Sequence, residues 1–379
     1  MKVVHVYRDC LTPGGVPHQT RRLVEAQARL GHEILTVSLA GEDSTYHSRR
    51  PGVSHLQASN ALHGVHALRR VLKSFRPDLA HVSAVLIPSH RVWIPVLRRA
   101  NVPYVISPHG LLSPLGMSTR FNARAASRHR IRLKKAYFGF LDLPMLRAAA
   151  ALHAQADYES ELIAGFGLAN TFTIPLGVDE EWVNSGVDRR APHDPTTFTY
   201  LGRLDIYHKG LDLILAGFRE LARQGLHKKA RLIIAGSDVG GSRGTIMRRL
   251  REAGLENVEV REPTWGGDKE VLWKETDYFL SVFRYAGMAR ATAEALGQGI
   301  PVVASREGNW GDWVRRHDMG FCVEADERSV ADLLCRIVTD ESTRYVARAK
   351  NALSFACSHS WQWVAAEMTT AYERLLARR

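Results

Sequence analysis

The sequence predicts an α/β protein of two domains, each built on a parallel sheet flanked by helices. Three observations predict it. The chain has 379 residues, enough for two domains at roughly 100–200 residues each. Short apolar runs alternate with amphipathic helical stretches through both halves, the rhythm of βαβ units. One polar stretch containing Gly and Pro, VDEEWVNSGVDRRAPHDPTT (178–197), interrupts that rhythm near the middle and reads as an interdomain linker.

The elements follow in order. KVVHVY (2–7) is a short apolar strand punctuated by Gly14 and Gly15. HQTRRLVEAQARLG is a helical stretch closing on Gly31, and HEILTVSL (32–39) is the next strand. DLAHVSA (78–84), a helix near 90–100, PYVISPHG (103–110), ALHAQAD (151–157) and TFTIPLG (171–177) complete the first set. In the second set FTYLG (198–202) is a strand and GLDLILAGFRELARQG (210–225) a helix. ARLIIAG (230–236), VEVRE (258–262), TDYFLSVF (276–283) and PVVAS (301–305) are further strands, with helices between them. WQWVAAEMTTAYERLLARR has helical spacing. In open α/β sheets ligands collect at the carboxyl ends of strands, so chemistry-bearing residues are expected just after them.

Composition narrows the class. Hydrophobic residues make up 45% and charged residues 24%, ordinary globular values. No run of about 18 apolar residues suggests a membrane span. The opening MKVVHVYRDC reads as a strand and not as a secretory signal, so the cytoplasm is the expected compartment. Cys10, Cys322, Cys335 and Cys357 are widely spaced and form no C-x-x-C pair, so no metal site and no disulfide framework is expected. The formal net charge is +12, and residues 1–181 carry most of the excess, with 22 basic against 13 acidic side chains. A basic first half favours anionic partners: phosphates, an acidic membrane surface or nucleic acid. Without a recognition helix on a zinc pattern or an aromatic RNA-binding strand, nucleic acid is not expected.

Five segments carry candidate chemistry. Arg203 follows a strand and Lys209-Gly210 precedes a helix, so two cations stand beside a helix N-terminus, an arrangement suited to phosphate. From spacing alone they are equally two surface cations near a turn. In SVFRYAGMARATAEALGQGIPVVAS (281–305) a Gly-containing loop runs from a strand into a helix carrying Glu294, an acceptor for sugar or ribose hydroxyls or else a solvated helix residue. Gly14-Gly15 permits close backbone approach, but no full G-x-G-x-x-G pattern follows, which counts against a nicotinamide enzyme. SPHG (107–110) places His109 after a strand, suited to hydrogen bonding or acid–base work. Finally, STRFNARAASRHRIRLKK (118–135) holds seven cations and no acid, with Arg120, Arg124, Arg128 and Arg132 along one helical row. Such a row fits an anionic lipid surface or a solvated face.

Together these segments resemble the retaining glycosyltransferases of family 4, the group 1 enzymes, across nearly the whole chain and most strongly over 198–305. The family's G-R-spacer-K-G is similar to GRLDIYHKG (202–210). Its E-x7-E helix region and the small-x-G-x-P-V-V-A that follows resemble AGMARATAEALGQGIPVVAS. PGG (13–15), SPHG, and HAQADYESELIAGFG with FTIPLGVD resemble further family segments. The resemblance implies the GT-B fold: two facing Rossmann-like domains with a cleft between them. The first, 1–185, would bind acceptor and carry the C-terminal helix 359–379 back on it. The second, 196–355, would bind a nucleotide-sugar donor.

By the same resemblance, Arg203 and Lys209 would hold the donor diphosphate and Glu294 the ribose hydroxyls. Backbone N–H groups of Gly287, Met288 and Ala289 would face the donor sugar or phosphate. Gly15 would pack against donor or acceptor, and His109 would lie near the transferred sugar. Arg261-Glu262-Pro263 would cradle the base. One departure stands out: the family's first Glu of E-x7-E falls on Ala286, with Arg284 and Glu262 as neighbours that would have to compensate. The implied function is transfer of a sugar from a nucleoside-diphosphate-sugar to an acceptor hydroxyl with retention, without a cofactor. Its expected setting is bacterial surface polysaccharide assembly on a glycan or lipid-linked acceptor, on the cytoplasmic face of the membrane. The alternatives are a catalytically impaired nucleotide-sugar-binding scaffold, which Ala286 motivates, and a transferase acting on a small natural product.

Overall fold

A computed structural model describes residues 1–7, 14–39, 51–118, 128–184, 189, 191–264, 266–340 and 344–378. Of these, 1–117, 128–177 and 359–378 form one compact unit and 178–358 the other. None of the helices among the described residues is long and apolar enough to cross a membrane.

The N-terminal unit runs β1 (Lys2–Val6), α1 (Gly15–Arg29), β2 (Glu33–Leu39), β3 (Val53–Ala58), α2 (Ala61–Phe75), β4 (Leu79–Ser83), α3 (His90–Arg99), β5 (Tyr104–Ser107) and α4 (Pro114–Ser118). Then come α5 (Arg128–Tyr137), a π-helical turn (Phe138–Asp142), α6 (Leu143–Arg147), β6 (Ala151–Ala154), α7 (Asp157–Ala164) and β7 (Thr171–Thr173). Its seven strands pair in parallel in the order β3-β2-β1-β4-β5-β6-β7. Val4, Val6, Val82, Ile106 and Leu152 fill the core beneath Trp93 and Leu97 of α3.

The second unit runs β8 (Thr196–Leu201), α8 (Leu211–Arg223), β9 (Ala230–Ala235), α9 (Ser242–Glu252), β10 (Val258–Arg261), α10 (Gly267–Glu275), β11 (Tyr278–Ser281), α11 (Arg290–Gly297), β12 (Val302–Ser305), α12 (Gly311–Arg316), β13 (Gly320–Val323), α13 (Glu327–Asp340) and α14 (Tyr345–Ser358). Its six strands are also parallel, in the order β10-β9-β8-β11-β12-β13. Both faces of such a sheet are covered, which explains the near-continuous apolar runs of β9 and β12. In each sheet the chain reverses direction of growth beside its first strand, between β1 and β4 and between β8 and β11. Such a reversal opens a crevice at the strand ends.

The structure extends the sequence reading in three places. Strands β3 and β13 and helix α2 had not been read. β3 is an edge strand of mixed polarity (VSHLQA), and β13 is only four residues long and opens on Gly320. Helix α1 begins at Gly15, three residues before the stretch read as helical. The polar segment after residue 177 is tied to the second unit: the Arg189 guanidinium donates to the carbonyls of Gln298 (2.9 Å), Thr276 (2.7 Å) and Trp273 (2.8 Å).

The last helix, α15 (Trp361–Ala377), belongs to the N-terminal unit. Ser360 caps it, accepting from the Trp363 N–H at 3.3 Å. Trp361 lies on Gly177, where an added Cβ would fall 2.6 Å from the indole. A buried relay fixes its other end. His153 Nε2 donates to the Ile174 carbonyl (2.8 Å), and in the neutral ring its Nδ1 accepts from Ser107 Oγ (2.7 Å). Ser107 in turn accepts from His81 Nε2 (2.6 Å), and His81 Nδ1 accepts from the Tyr372 hydroxyl (2.5 Å). With both imidazoles neutral, every ring nitrogen in the line has a partner of the right kind.

Burial accordingly drives His153 down to about 3 and His5, stacked on His81, to about 4, and it holds His81 well below the usual value of 6.5. Because these folded values lie below the unfolded one, the unfolded chain binds more protons between them. Stability from the relay is complete above pH 6.5 and is lost as pH falls toward 4. The urea midpoint of the wild type is expected to drop between pH 7 and pH 5, with a slope of about 1.4 kcal/mol per pH unit per histidine at the limit. His153→Asn is expected to flatten that slope. An unchanged midpoint across this range would contradict the neutral relay.

Candidate functional site

The crevice between β8 and β11 is assembled by backbone. After β8, Gly202 packs directly on Gly236 after β9; a Cβ on Gly236 would fall 1.6 Å from the Gly202 carbonyl oxygen. Leu204 N–H donates to the Ser237 carbonyl (2.9 Å), and the buried Tyr200 hydroxyl donates to the Arg203 carbonyl (2.6 Å). The next turn is closed by Asp205, which accepts from His208 N–H (3.1 Å), while Lys209 N–H donates to the Asp205 carbonyl (3.0 Å). Gly210 then caps α8 with φ +65, and an added Cβ would lie 1.8 Å from the Val282 carbonyl oxygen.

The loops after β8 and β11 are therefore fastened to each other. Arg284 N–H donates to the His208 carbonyl (3.2 Å), and the His208 ring stacks on Tyr285 at 4.2 Å. The Arg284 guanidinium grips Asp212 through two bonds (2.7 and 2.8 Å) and donates to the Tyr207 carbonyl (2.8 Å). Lys209 Nζ stands 4.0 Å from the Phe283 ring centroid. Burial pushes Lys209 down to about 8, and the neighbouring Arg203 charge acts in the same direction. Arg203 is exposed and forms no ion pair among the described residues. Two cations thus stand together at the reversal point, neither in an ion pair among the described residues, with the buried Asp205 carboxylate offsetting part of their charge; the positive excess suits an anion.

The β11–α11 loop carries Gly287, Met288 and Ala289. Met288 is buried, and the Ala289 carbonyl accepts from Trp310 Nε1 (3.0 Å). Ser305 Oγ donates to the Phe283 carbonyl (2.6 Å) and Thr292 Oγ1 to Ser281 Oγ (2.9 Å), which fixes the entry into α11. A helix leaves its first backbone N–H groups unpaired, with partial positive charge. Ala286 donates its N–H to the Glu307 carbonyl (3.2 Å) and packs against the core. Arg284, being committed to Asp212, does not stand in for a carboxylate there.

Glu294 is buried on α11 and paired with Lys269 Nζ at 2.6 Å, so the solvated-helix alternative for it is overturned. Glu262 is exposed and meets Arg243 at 3.2 Å. Arg261 is taken up by Glu259 and Glu275 (2.7 and 2.9 Å). The sequence reading missed Arg243, which donates to the carbonyls of Gly236 (3.1 Å) and Arg261 (3.0 Å) and ties the ends of β9 and β10. It also missed Asp212, the partner of Arg284. No spacing rule marks either residue; only the sheet brings their partners together.

In the N-terminal unit, Gly15 opens α1, is exposed, and has no heavy atom within 4 Å of an added Cβ. His109 sits in the turn after β5 at φ +54. Glu159 holds this turn, accepting from the N–H groups of Gly110 (2.5 Å) and Gln155 (2.8 Å), and burial pushes its carboxyl up to about 7. Burial drives His109 down to about 4 against a smaller upward pull from Gln155, so its ring is neutral at physiological pH. A cavity of about 30 Å³ lies among His81, Ser107, His109, His153, Gln155 and Trp361, room for about one or two waters. Arg132 is exposed on α5, and Arg128 opens that helix; Arg120 and Arg124 lie outside the described residues.

The chain is similar to known proteins in sequence and in fold. Residues 13–182 match the family model described as Glycosyltransferase Family 4, and residues 195–340 that described as Glycosyl transferases group 1. The chain is 24% identical over 389 residues to a GDP-mannose-dependent alpha-mannosyltransferase of Mycobacterium tuberculosis (strain CDC 1551 / Oshkosh), covering 96% of this chain and 94% of that protein. Its fold is similar to that of sucrose-phosphate synthase from Thermosynechococcus elongatus (TM-score 0.78, 17% identity, 100% of each chain). It is also similar to Anabaena HepE in complex with UDP (TM-score 0.73, 17% identity, 99% of this chain and 100% of that one). With both units matched and the crevice built as described, the chain belongs to the family 4, group 1 glycosyltransferases and has the GT-B fold.

Proposed function

We propose that the protein is a retaining transferase that moves a sugar from a nucleoside-diphosphate-sugar to an acceptor hydroxyl in the assembly of a bacterial surface polysaccharide. The observation that carries the reading is the pair of neighbouring cations, Arg203 and Lys209, without an ion pair among the described residues, at the β8/β11 reversal beside the N-terminus of α8. In the reaction the anomeric C–O bond to the diphosphate breaks and a C–O bond to the acceptor forms on the same face. The acceptor proton leaves with the diphosphate. Positive charge fixed before the reaction stabilises the negative charge that grows on the leaving group. Arg203, Lys209 and the helix N-termini supply that charge, so the proposal requires no resident metal. Glu294, held by Lys269, is proposed to accept from the ribose hydroxyls, and the Gly287–Ala289 loop to face the sugar. His109 is proposed to contribute as a neutral hydrogen-bonding group and Gly15 as an uncrowded surface for substrate. UDP and a UDP-sugar occupy the similar Anabaena HepE structures, which supports a nucleotide-sugar donor here. The proposed place of work is the cytoplasmic face of the membrane, on a glycan or lipid-linked acceptor.

Binding of UDP and GDP measured by calorimetry against pH tests this reading. Only protonated Lys209 grips a diphosphate by charge. Affinity is therefore expected to be full below about pH 8 and to fall as pH rises above the free-state value, by at most about tenfold per pH unit until the bound-state pKa is reached. Lys209→Met is expected to remove that dependence. An affinity independent of pH from 7 to 10 would contradict the assignment. Ala286 supports a second reading, a protein that binds the donor without transferring it; turnover with any acceptor would exclude that reading.

A further inference from the structure

We propose that Glu262, held beside Arg243 at the ends of β9 and β10, selects guanine as the base of the nucleotide donor. The inference rests on the donor-site reading above and adds the base to it. The position follows from how the loops connect. Glu294, the proposed partner of the ribose, pairs with Lys269 in the first turn of α10 at 2.6 Å. The segment leading into that turn begins at Glu262, directly after β10. A ribose at Glu294 therefore brings its base to the same end of the sheet. Two polar groups are held ready there. Arg243 Nη2 donates to the carbonyls of Gly236 and Arg261 (3.1 and 3.0 Å), and its Nη1 stands 3.2 Å from one Glu262 carboxylate oxygen. The Glu262 side chain is 81% exposed, so its second oxygen is open to accept. In the same segment Thr264 Oγ1 is buried without a hydrogen-bond partner among the described residues, a condition that a polar ligand relieves.

The chemistry of the pair chooses among bases. Guanine alone presents two adjacent donors, N1–H and the 2-amino group, next to a carbonyl oxygen, O6. A carboxylate accepts both donors at once, and a guanidinium fixed beside it donates to O6. Uracil sets its single ring N–H between two carbonyl oxygens, so a second contact with the carboxylate would be oxygen against oxygen. Adenine and cytosine set an unprotonated ring nitrogen beside the amino group, which again turns a lone pair toward the carboxylate. Glu262 thus attracts guanine and works against the other three bases.

Calorimetry of the full chain at pH 7 with GDP, UDP, ADP and inosine diphosphate, which is GDP without the 2-amino group, tests the assignment. GDP is expected to bind about tenfold to a hundredfold more tightly than UDP or ADP, the range of one good bidentate pair. Inosine diphosphate is expected to bind about tenfold more weakly than GDP to the wild type and about equally to Glu262→Ala. Glu262→Gln, which keeps the shape but offers one acceptor oxygen, is expected to lower GDP affinity by about tenfold. Equal affinity for GDP and UDP, or tighter binding of UDP, would overturn the choice of base. So would a preference for GDP over UDP or inosine diphosphate that survives Glu262→Ala. In these cases the diphosphate site still stands if Arg203→Ala and Lys209→Met weaken every diphosphate alike. If no diphosphate binds the wild type, the donor reading fails and the base assignment fails with it.

Discussion

Arg203→Ala and Lys209→Met are each expected to lower kcat/KM by about a hundredfold to a thousandfold, the range found when one preorganised donor to a developing anion is removed. Neither change touches the fold's supports. Arg203 is exposed without an ion pair among the described residues, and Met preserves the Lys209 stem over Phe283. The melting temperature should therefore stay close to wild type while turnover falls. The two effects are expected to be less than multiplicative, because both cations face one leaving group. Steady-state kinetics with a panel of nucleotide sugars, compared with melting curves of the same proteins, checks both halves of the expectation. Wild-type kcat/KM in the double variant would remove these residues from the chemistry.

Gly210→Ala is expected to be among the most damaging single substitutions in the second unit, at about 3 kcal/mol or more. Two costs coincide. The residue sits at φ +65, where a side chain strains the backbone, and its Cβ would fall 1.8 Å from the Val282 carbonyl oxygen. The obstacle is backbone, so no rotamer change relieves it. The loop after β8 would have to withdraw from β11, and Lys209, one residue away, would lose its place over Phe283. Urea denaturation is expected to show a lower midpoint, and diphosphate affinity should fall with it even in molecules that remain folded. Gly225→Ala, also at positive φ but with nothing within 4 Å of the added Cβ, isolates the strain alone and should cost about 1–2 kcal/mol. Equal losses at the two positions would show that the contact with Val282 is not what matters.

These expectations rest on features of unequal visibility in the sequence. The alternation of apolar runs with amphipathic helices exposed the parallel architecture, because strands buried on both faces must be nearly continuously apolar, as in RLIIA and PVVA. What it hid were elements whose surroundings are polar or whose length is short: β3 at the sheet edge, and β13 opening on Gly320. Arg203, Lys209 and Glu294 stood out as candidates because their segments resemble those of a known family in order, Glu294 on the helix that follows a strand.

Arg243, Asp212 and Lys269 were not legible. Each acts by reaching a partner that is remote in the chain, such as Lys269 meeting Glu294 across 25 residues. Spacing carries no trace of such a contact, and only the strand order makes it. The histidines behave likewise. With 17 in the sequence, none could be singled out as part of a relay. Their relation became visible only when β4, β5, β6 and α15 placed His81, Ser107, His153 and Tyr372 in one hydrogen-bonded line.

The most direct test of the central claim is a crystal structure of the protein with a nucleoside diphosphate bound. The diphosphate oxygens are expected within hydrogen-bonding reach, about 2.7–3.2 Å, of the Arg203 guanidinium and Lys209 Nζ, with the ribose at Glu294. Diphosphate density elsewhere, with Arg203 and Lys209 facing only solvent, would contradict it.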